Sequence, residues 1–251
     1  MRSDLLKSSV MASLLVLGVA AGVAAPAAAP ARRAAELPPS ADLAYGLAAQ
    51  QRGFGLKGEA IINWRAGDGK YDLNVEARVP LIGKLTEYRS HGTVDSFGLT
   101  PGEFYEKRYR KDATTTVFDR QAKTVTLPEG SAPVALGGGE QDRASVTWQL
   151  ASVARAAGEA RFKPGSEWRF VVAGRRDVEP WTFKVVRREK IQTGMGELDT
   201  LLVTREPRAG GRSEGVDIWL APGQEWYPVK LRFRDDERET IEQTVTRITR
   251  K

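Results

Sequence analysis

Residues 71–79 alternate without a break. Tyr71, Leu73, Val75, Ala77 and Val79 take one parity, and Asp72, Asn74, Glu76 and Arg78 take the other. A period of two describes a strand with one apolar and one wet face. A chain built from many such strands must give all its apolar faces a common cover. The pattern recurs on both sides. Residues 58–64 precede it as a strand through Ile61 and Ile62, and Ala66-Gly67-Asp68-Gly69 joins the two as a hairpin signal. Glycine and aspartate tolerate the positive φ of tight turns.

Further strands follow. Residues 85–90 and 93–97 flank Gly92, residues 104–110 are rich in Tyr and charge, and 114–119 pairs with 123–127 across Arg120-Gln121-Ala122. In the second half Trp168, Phe170 and Val172 alternate with polar or smaller neighbours. Trp181, Phe183 and Val185 repeat the device after Gly174-Arg175-Arg176-Asp177. Residues 198–205, Val216 to Leu220, Val229 to Phe233, and 241–248 complete the set.

The period changes once. After Gly137-Gly138-Gly139, the residues Val146, Leu150, Val153, Ala154 and Ala157 fall at helical spacing over 142–157. Asp142 is expected as the N-cap, its carboxylate meeting backbone N–H groups near Ser145. Gly158 is the expected stop. About ten to twelve strands with short connections predict an antiparallel meander. A sheet that wide curls or splits, and the apolar stripe of the helix needs a surface to cover. The expected fold is therefore mainly β, a strongly curved antiparallel sheet or half-barrel wrapped around one principal α-helix. Two packed sheets are the alternative. One β-rich domain is expected over residues 43–251.

The N-terminus carries a different message. Arg2 and Lys7, diluted by Asp4, precede an apolar run from Val10 to Ala20 and then small residues to Ala29. That order is a secretory signal peptide, assigned to residues 1–29. Its apolar core of about 14 residues is short of the roughly 20 that cross a bilayer. Cleavage after Ala27 fits a small-x-small pattern through Ala25, and Ala29 with Ala31 offers another, so the site stays open. Residues 30–42, rich in Ala, Pro and Arg, are expected to form a disordered lead-in. No later stretch is long and apolar enough to span a membrane as a helix.

The chain has no cysteine and one histidine. A disulfide framework, a cysteine nucleophile and a thiolate metal site are excluded, and the leader lacks the cysteine that a bacterial lipoprotein acylates. The expected compartment is the periplasm, with no lipid anchor and no transmembrane segment in the mature chain. The net charge is +6. A basic exported protein favours anionic glycolipid, phospholipid headgroups or acidic polysaccharide, unless the charge is simply a solvated surface. Nucleic acid is not an expected partner, because export removes the protein from it.

Catalytic constellations are scarce. With His91 alone, a two-histidine metal site is excluded, and a Ser-His-Asp triad would need Asp95 with Ser90 or Ser96, near neighbours whose faces alternate. No Gly-x-Ser-x-Gly elbow frames a serine. Paired carboxylates remain as hydrolase candidates: Glu140 with Asp142, Asp217, and Asp235-Asp236-Glu237. The glycine triplet lacks the Lys-Ser/Thr ending of a phosphate loop. No metal site, cofactor or catalytic residue is expected, and the reading is non-enzymatic. The aromatic side chains are the stronger set. Trp148 on the helix and Trp168, Phe170, Trp181, Phe183 and Trp219 on later strands are the candidate ligand-binding residues, lining an apolar concavity that takes an acyl chain or similar amphiphile. The competing reading is a filled core of the same rings. Trp219 has the opposite parity to Ile218 and Leu220, so it is expected to face water or a partner.

Three segments in order resemble a bacterial family catalogued as domain of unknown function 3108. They are Ser96-Phe97-Gly98-Leu99-Thr100-Pro101, Gln141-Asp142-Arg143-Ala144-Ser145 with Leu150, and Ile218-Trp219-Leu220-Ala221-Pro222 followed by Tyr227-Pro228-Val229. The match covers most of residues 45–248. The resemblance implies an exported envelope protein of mainly antiparallel β structure, and no known reaction. Read physically, Gly98 to Pro101 is turn chemistry, and Pro222-Gly223 is a second turn. Three functions stay open: a non-catalytic envelope protein binding an amphiphilic or anionic component, a solid-core interaction module for an envelope protein partner, and a carbohydrate-active hydrolase.

Overall fold

The computed structural model describes residues 33–51, 54–80, 82–130, 132–205, 215–234 and 240–251. The expected signal peptide and the run Asp235-Asp236-Glu237 lie outside the described residues. Every described strand belongs to one sheet. The first half contributes β1 (Ala41–Gln51), β2 (Phe54–Gly67), β3 (Lys70–Val79), β4 (Gly83–Asp95), β5 (Gly98–Arg108), β6 (Thr114–Asp119), β7 (Thr124–Thr126) and β8 (Val134–Ala135). Then come β9 (Gln141–Asp142), α1 (Ser145–Arg161), β10 (Glu167–Ala173), β11 (Val178–Thr193), β12 (Gly196–Arg205), β13 (Gly215–Ala221), β14 (Tyr227–Arg234) and β15 (Thr240–Arg250). The spatial order is β8-β7-β6-β5-β4-β3-β2-β1-β15-β14-β13-β12-β11-β10-β9. Two meanders thus meet where the last strand pairs with the first. All pairs are antiparallel except β9 with β10, which α1 joins as a parallel pair.

The fold is mainly β with one principal helix, and the wall is open and bent rather than rolled shut. Edges β8 and β9 share no ladder. A flat sheet of fifteen strands would separate its edges by roughly 65 Å at about 4.8 Å per strand. The chain joins Ala135 to Gln141 directly, a link that reaches at most about 20 Å. The flanks also touch. Glu129 N–H donates to Arg175 O at 2.9 Å. Phe118, Val125 and Leu127 pack with Ala173 of β10. Gln141 Nε2 donates to Leu99 O of β5 at 2.8 Å.

The bend decides what happens to the helix. Positions 145–154 of α1 are buried except Thr147, a wider burial than the expected single stripe. Strands β5, β9, β10 and β14 all lie against it, and a helix enclosed on several sides buries more than one face. Residues 33–40, expected as part of a disordered lead-in, supply a further side. Ala35 N–H donates to Ser96 O (3.2 Å) and Glu36 N–H to Ser152 O of α1 (3.0 Å). Pro38 O accepts from Trp64 Nε1 at 2.9 Å, and Pro39 O accepts from the Tyr227 hydroxyl at 2.7 Å. Leu37 packs on the core. Pro38 and Pro39 lack the N–H donors that a helix interior or central strand needs, yet their carbonyls serve two buried aromatic donors.

Local chemistry accounts for most boundaries. Asp68 and Gly69 carry φ of 50° and 69° at the β2–β3 hairpin tip. Gly158, at φ 62°, breaks the helix as expected of a stop, and one further turn follows it. Three expectations change. Asp142 is not the N-cap: it ends β9, and Ala144 takes the N-cap position without a side-chain cap hydrogen bond. Residues 85–97 are not two strands around Gly92, because β4 runs through it with a register shift against β5. There a Cβ would sit 2.2 Å from Thr100 O, so glycine permits close backbone approach at the bulge rather than a turn. The segment Gly98 to Pro101 is likewise strand, the start of β5, and the reversal lies at Ser96-Phe97.

Candidate functional site

The inward faces of the sheet meet α1 in two different ways. Around Trp148 they are filled. Trp148 stacks on Trp64 with centroids 4.4 Å apart and planes 15° apart, and Tyr227 meets its edge at 6.1 Å. The Tyr45 hydroxyl crosses this layer to donate to Pro228 O at 2.7 Å. Beside that plug the wall stays hollow. A cavity of about 300 Å³ opens between the start of α1 and seven neighbouring strands, β5 through β1 and then β15 and β14. Leu47, Ile62, Val75, Leu85, Phe104 and Leu231 supply apolar walls, and Trp148 of α1 lines it too. Small side chains leave the room: Ala77 and Thr86 on the strands, Ala144 and Thr147 on the helix side.

Charge is confined to a few lining residues: Arg108, Arg143, Arg234 and Glu106. The Glu106 carboxylate is nearly enclosed, with Oε1 2.9 Å from Arg108 Nε and Oε2 3.4 Å from Arg175 Nη1. Arg234 Nη2 donates to Asp217 Oδ1 at 3.0 Å.

A buried polar network positions this mouth. Asp142 Oδ1 accepts from the N–H groups of Ala144 and Ser145, each at 2.8 Å. Its Oδ2 accepts from Ser90 Oγ at 2.6 Å, and Ser90 Oγ lies 2.9 Å from the Tyr71 hydroxyl. The helix start is thereby tied to β4 and β3, which fixes Arg143 at the cavity. Burial pushes the Asp142 carboxyl up from its ordinary range, opposed by these hydrogen bonds. Burial likewise raises the Tyr71 phenol.

The six aromatic residues singled out by sequence separate. Trp148 alone lines the cavity. Trp168 and Phe170 border a second hollow of about 40 Å³ beneath Arg33, Phe97 and Gln149. Phe183 is buried against Phe170 at 5.9 Å and Trp181 at 6.3 Å. The Trp181 ring lies under Arg205, whose guanidinium is 3.8 Å from its centroid. Trp219 does lie on the outer face, but it does not meet water. It is 3 % exposed, its Nε1 donates to Glu189 Oε1 at 2.7 Å, and Lys230 and Arg232 cover its ring. Long charged side chains have covered the wet face, which parity alone does not reveal.

The carboxylate candidates are engaged structurally. Glu140 Oε1 accepts from Gly138 N–H at 2.7 Å, and its Oε2 lies 3.1 Å from Arg120 Nη1. The glycine triplet therefore presents its N–H groups to a side chain of the protein itself. Asp217 also accepts from Thr204 Oγ1 at 2.9 Å. Ser90 is buried with Asp142, whereas His91, next in the strand, is exposed.

The sequence model described as Protein of unknown function (DUF3108) matches residues 42–243. The chain belongs to the DUF3108 family. No curated protein matches it. Among solved structures, this DUF3108 chain is similar to a DUF1329 family protein from Desulfovibrio piger, at 10 % identity and TM-score 0.28, covering 85 % of this chain and 86 % of that one. A second is a candidate exported protein with a YmcC-like fold from Bacteroides fragilis, at 9 % identity and TM-score 0.33, covering 88 % and 100 %. A third is a candidate outer membrane lipoprotein-sorting protein domain from Vibrio parahaemolyticus, at 9 % identity and TM-score 0.29, covering 85 % and 86 %. These likenesses carry no argument about ligand or partner.

Proposed function

We propose that this DUF3108 protein is a non-catalytic periplasmic protein that holds the apolar chain of an amphiphile between α1 and the hollow of the sheet. One observation carries the reading: the cavity of about 300 Å³ has aliphatic and aromatic walls and keeps its charges to four side chains. Ligand pockets begin at about this volume. An alkyl chain seated there exchanges water for contact with these apolar walls. The leader pattern supplies the compartment, since a chain exported past the inner membrane works among amphiphilic envelope components. The hydrolase alternative loses ground because Glu140 and Asp217 are committed to arginines and Asp142 to Ser90 and the backbone N–H groups of Ala144 and Ser145.

Binding should depend on chain length. Each methylene buried contributes about 0.8 kcal/mol, close to a fourfold gain in affinity. Titrating the purified protein with alkyl amphiphiles below their micelle concentrations should show that gain per carbon until the hollow is filled. Ala77→Trp, which places an indole in the hollow, should remove binding. Affinity that ignores chain length, or that survives Ala77→Trp unchanged in a folded protein, contradicts the proposal.

A further inference from the structure

One polar side chain in the cavity is unused by the protein. Gln243 on β15 lines the hollow and is only 8 % exposed. Among the described residues its carboxamide has no hydrogen-bond partner. Its cross-strand neighbours are Leu47 on β1 and Leu231 on β14, apolar residues that line the same hollow. A carboxamide presents two N–H donors and a carbonyl acceptor, and a buried one ordinarily finds partners for them. The charged lining residues differ. Arg108 lies against Glu106, Arg234 donates to Asp217, and Arg143 is also engaged. The lining thus leaves a carboxamide, and not a charge, to choose among ligands.

Depth restricts the choice further. Along the inward face of β15, Val245 is fully buried, Gln243 comes next, and Ile241, 38 % exposed, stands at the rim of the cavity. Two residues of strand set Gln243 about 7 Å inside that rim. A charged group brought against it would exchange its water for a neutral partner, at a cost that a neutral group does not bear.

We infer that the chain held in the hollow carries a neutral group that both donates and accepts a hydrogen bond, a hydroxyl or an amide, and that Gln243 holds this group inside the rim. This rests on the proposed chain-binding function and adds the substrate class to it. The ligand's O–H or N–H donates to Gln243 Oε1, and its oxygen accepts from Gln243 Nε2. A bare alkyl chain would leave both ends of the carboxamide without partners. Gln243 is thereby a specificity residue. Because its partner comes from outside the protein, its carboxamide adds no internal hydrogen bond to stability. Gln243→Met keeps a long flexible side chain and removes the hydrogen bonding. In the unliganded protein it should leave the urea midpoint unchanged or raise it.

The test uses three probes of similar tail: octan-1-ol, octanamide and 1-chlorooctane, whose halogen donates no hydrogen bond and accepts one poorly. Each is titrated below its solubility limit into the purified protein and into Gln243→Met. The variant should bind octan-1-ol and octanamide about three- to tenfold more weakly than wild type, the loss of one or two hydrogen bonds that had replaced bonds to water. Its affinity for 1-chlorooctane should be unchanged or higher. Weakening of octan-1-ol alone or of octanamide alone supports the inference and says which group is held. Gln243→Leu, titrated with the same probes, serves as a second variant should Gln243→Met fail to fold. An equal change for all three probes, with Ala77→Trp abolishing each, overturns the inference and leaves chain binding standing. A marked fall in the urea midpoint of both unliganded Gln243 variants also overturns it, because the carboxamide would then have a partner within the protein. Absence of binding by all three probes removes both proposals.

Discussion

Asp142 holds the helix start with one side chain. Its two oxygens serve two backbone N–H groups and the Ser90 hydroxyl, and Asp142, Ser90 and Ser145 are fully buried. Asp142→Ala leaves those donors without acceptors, and removal of the helix-start contact adds to that loss. The expected destabilisation is about 3 kcal/mol, read as a lower urea midpoint at unchanged slope. The pH dependence has a definite sign. Burial raises the carboxyl of Asp142 in the folded protein above its unfolded value, so the folded state binds the proton more tightly. The stability contributed by that proton is complete below the ordinary carboxylate range and is lost as pH rises through the raised value. The stability of wild type minus that of Asp142→Asn should therefore fall on raising pH from about 3 towards neutrality. A rise over this window contradicts the assignment.

At the scale of elements, α1 is clamped to the β4–β5 hairpin by Gln149. Its Oε1 accepts from Leu99 N–H at 2.8 Å and its Nε2 donates to Phe97 O at 2.6 Å. Between them Gly98 sits at φ 104°, and a Cβ there would lie 2.2 Å from Gln149 Oε1. Gly98→Ala combines a left-handed backbone with that collision, and should cost about 2 kcal/mol or more. Gln149→Ala should cost about 1–2 kcal/mol, because Leu99 N–H is left buried and unsatisfied. Both substitutions break one clamp, so the double variant should be less destabilised than the two single costs added. Strict additivity in thermal or urea unfolding would show that the two residues act separately. The elements themselves were readable where one rule dominated. Alternation located β3, β10 and β14, and helical spacing located α1. The strap of residues 33–40 was hidden, because its role lies in backbone carbonyls that accept from Trp64 and Tyr227, and no side-chain pattern announces a carbonyl.

For the whole molecule, the decisive feature is where the sheet is filled and where it is not. Parity in the sequence put Val75, Ala77, Leu231 and Phe233 on inward faces, and it could not say that those faces enclose space. That depends on β14 and β3 lining one hollow beside the start of α1, which follows from β1 pairing with β15 across the whole length of the chain. The aromatic residues pointed elsewhere for a physical reason. Large rings such as Trp64, Phe162 and Phe183 complete the packed layers, whereas a hollow needs small residues opposite one another. Ala77, Ala144 and Thr147, all small and all lining the cavity, are the legible signal once the fold has brought them together. Chain-length dependence is then a property of the assembled wall, and no single strand carries it.

The most direct measurement of the central claim is an isotope-filtered nuclear Overhauser spectrum of methyl-labelled protein with unlabelled octan-1-ol. Contacts from the alkyl protons to the methyl groups of Leu47, Val75, Leu85 and Leu231 are the predicted result, with none to Ile61 or Val186, which are exposed away from the cavity. Alkyl contacts confined to Ile61, Val186 or other exposed methyl groups, with the four cavity residues silent, would contradict the account.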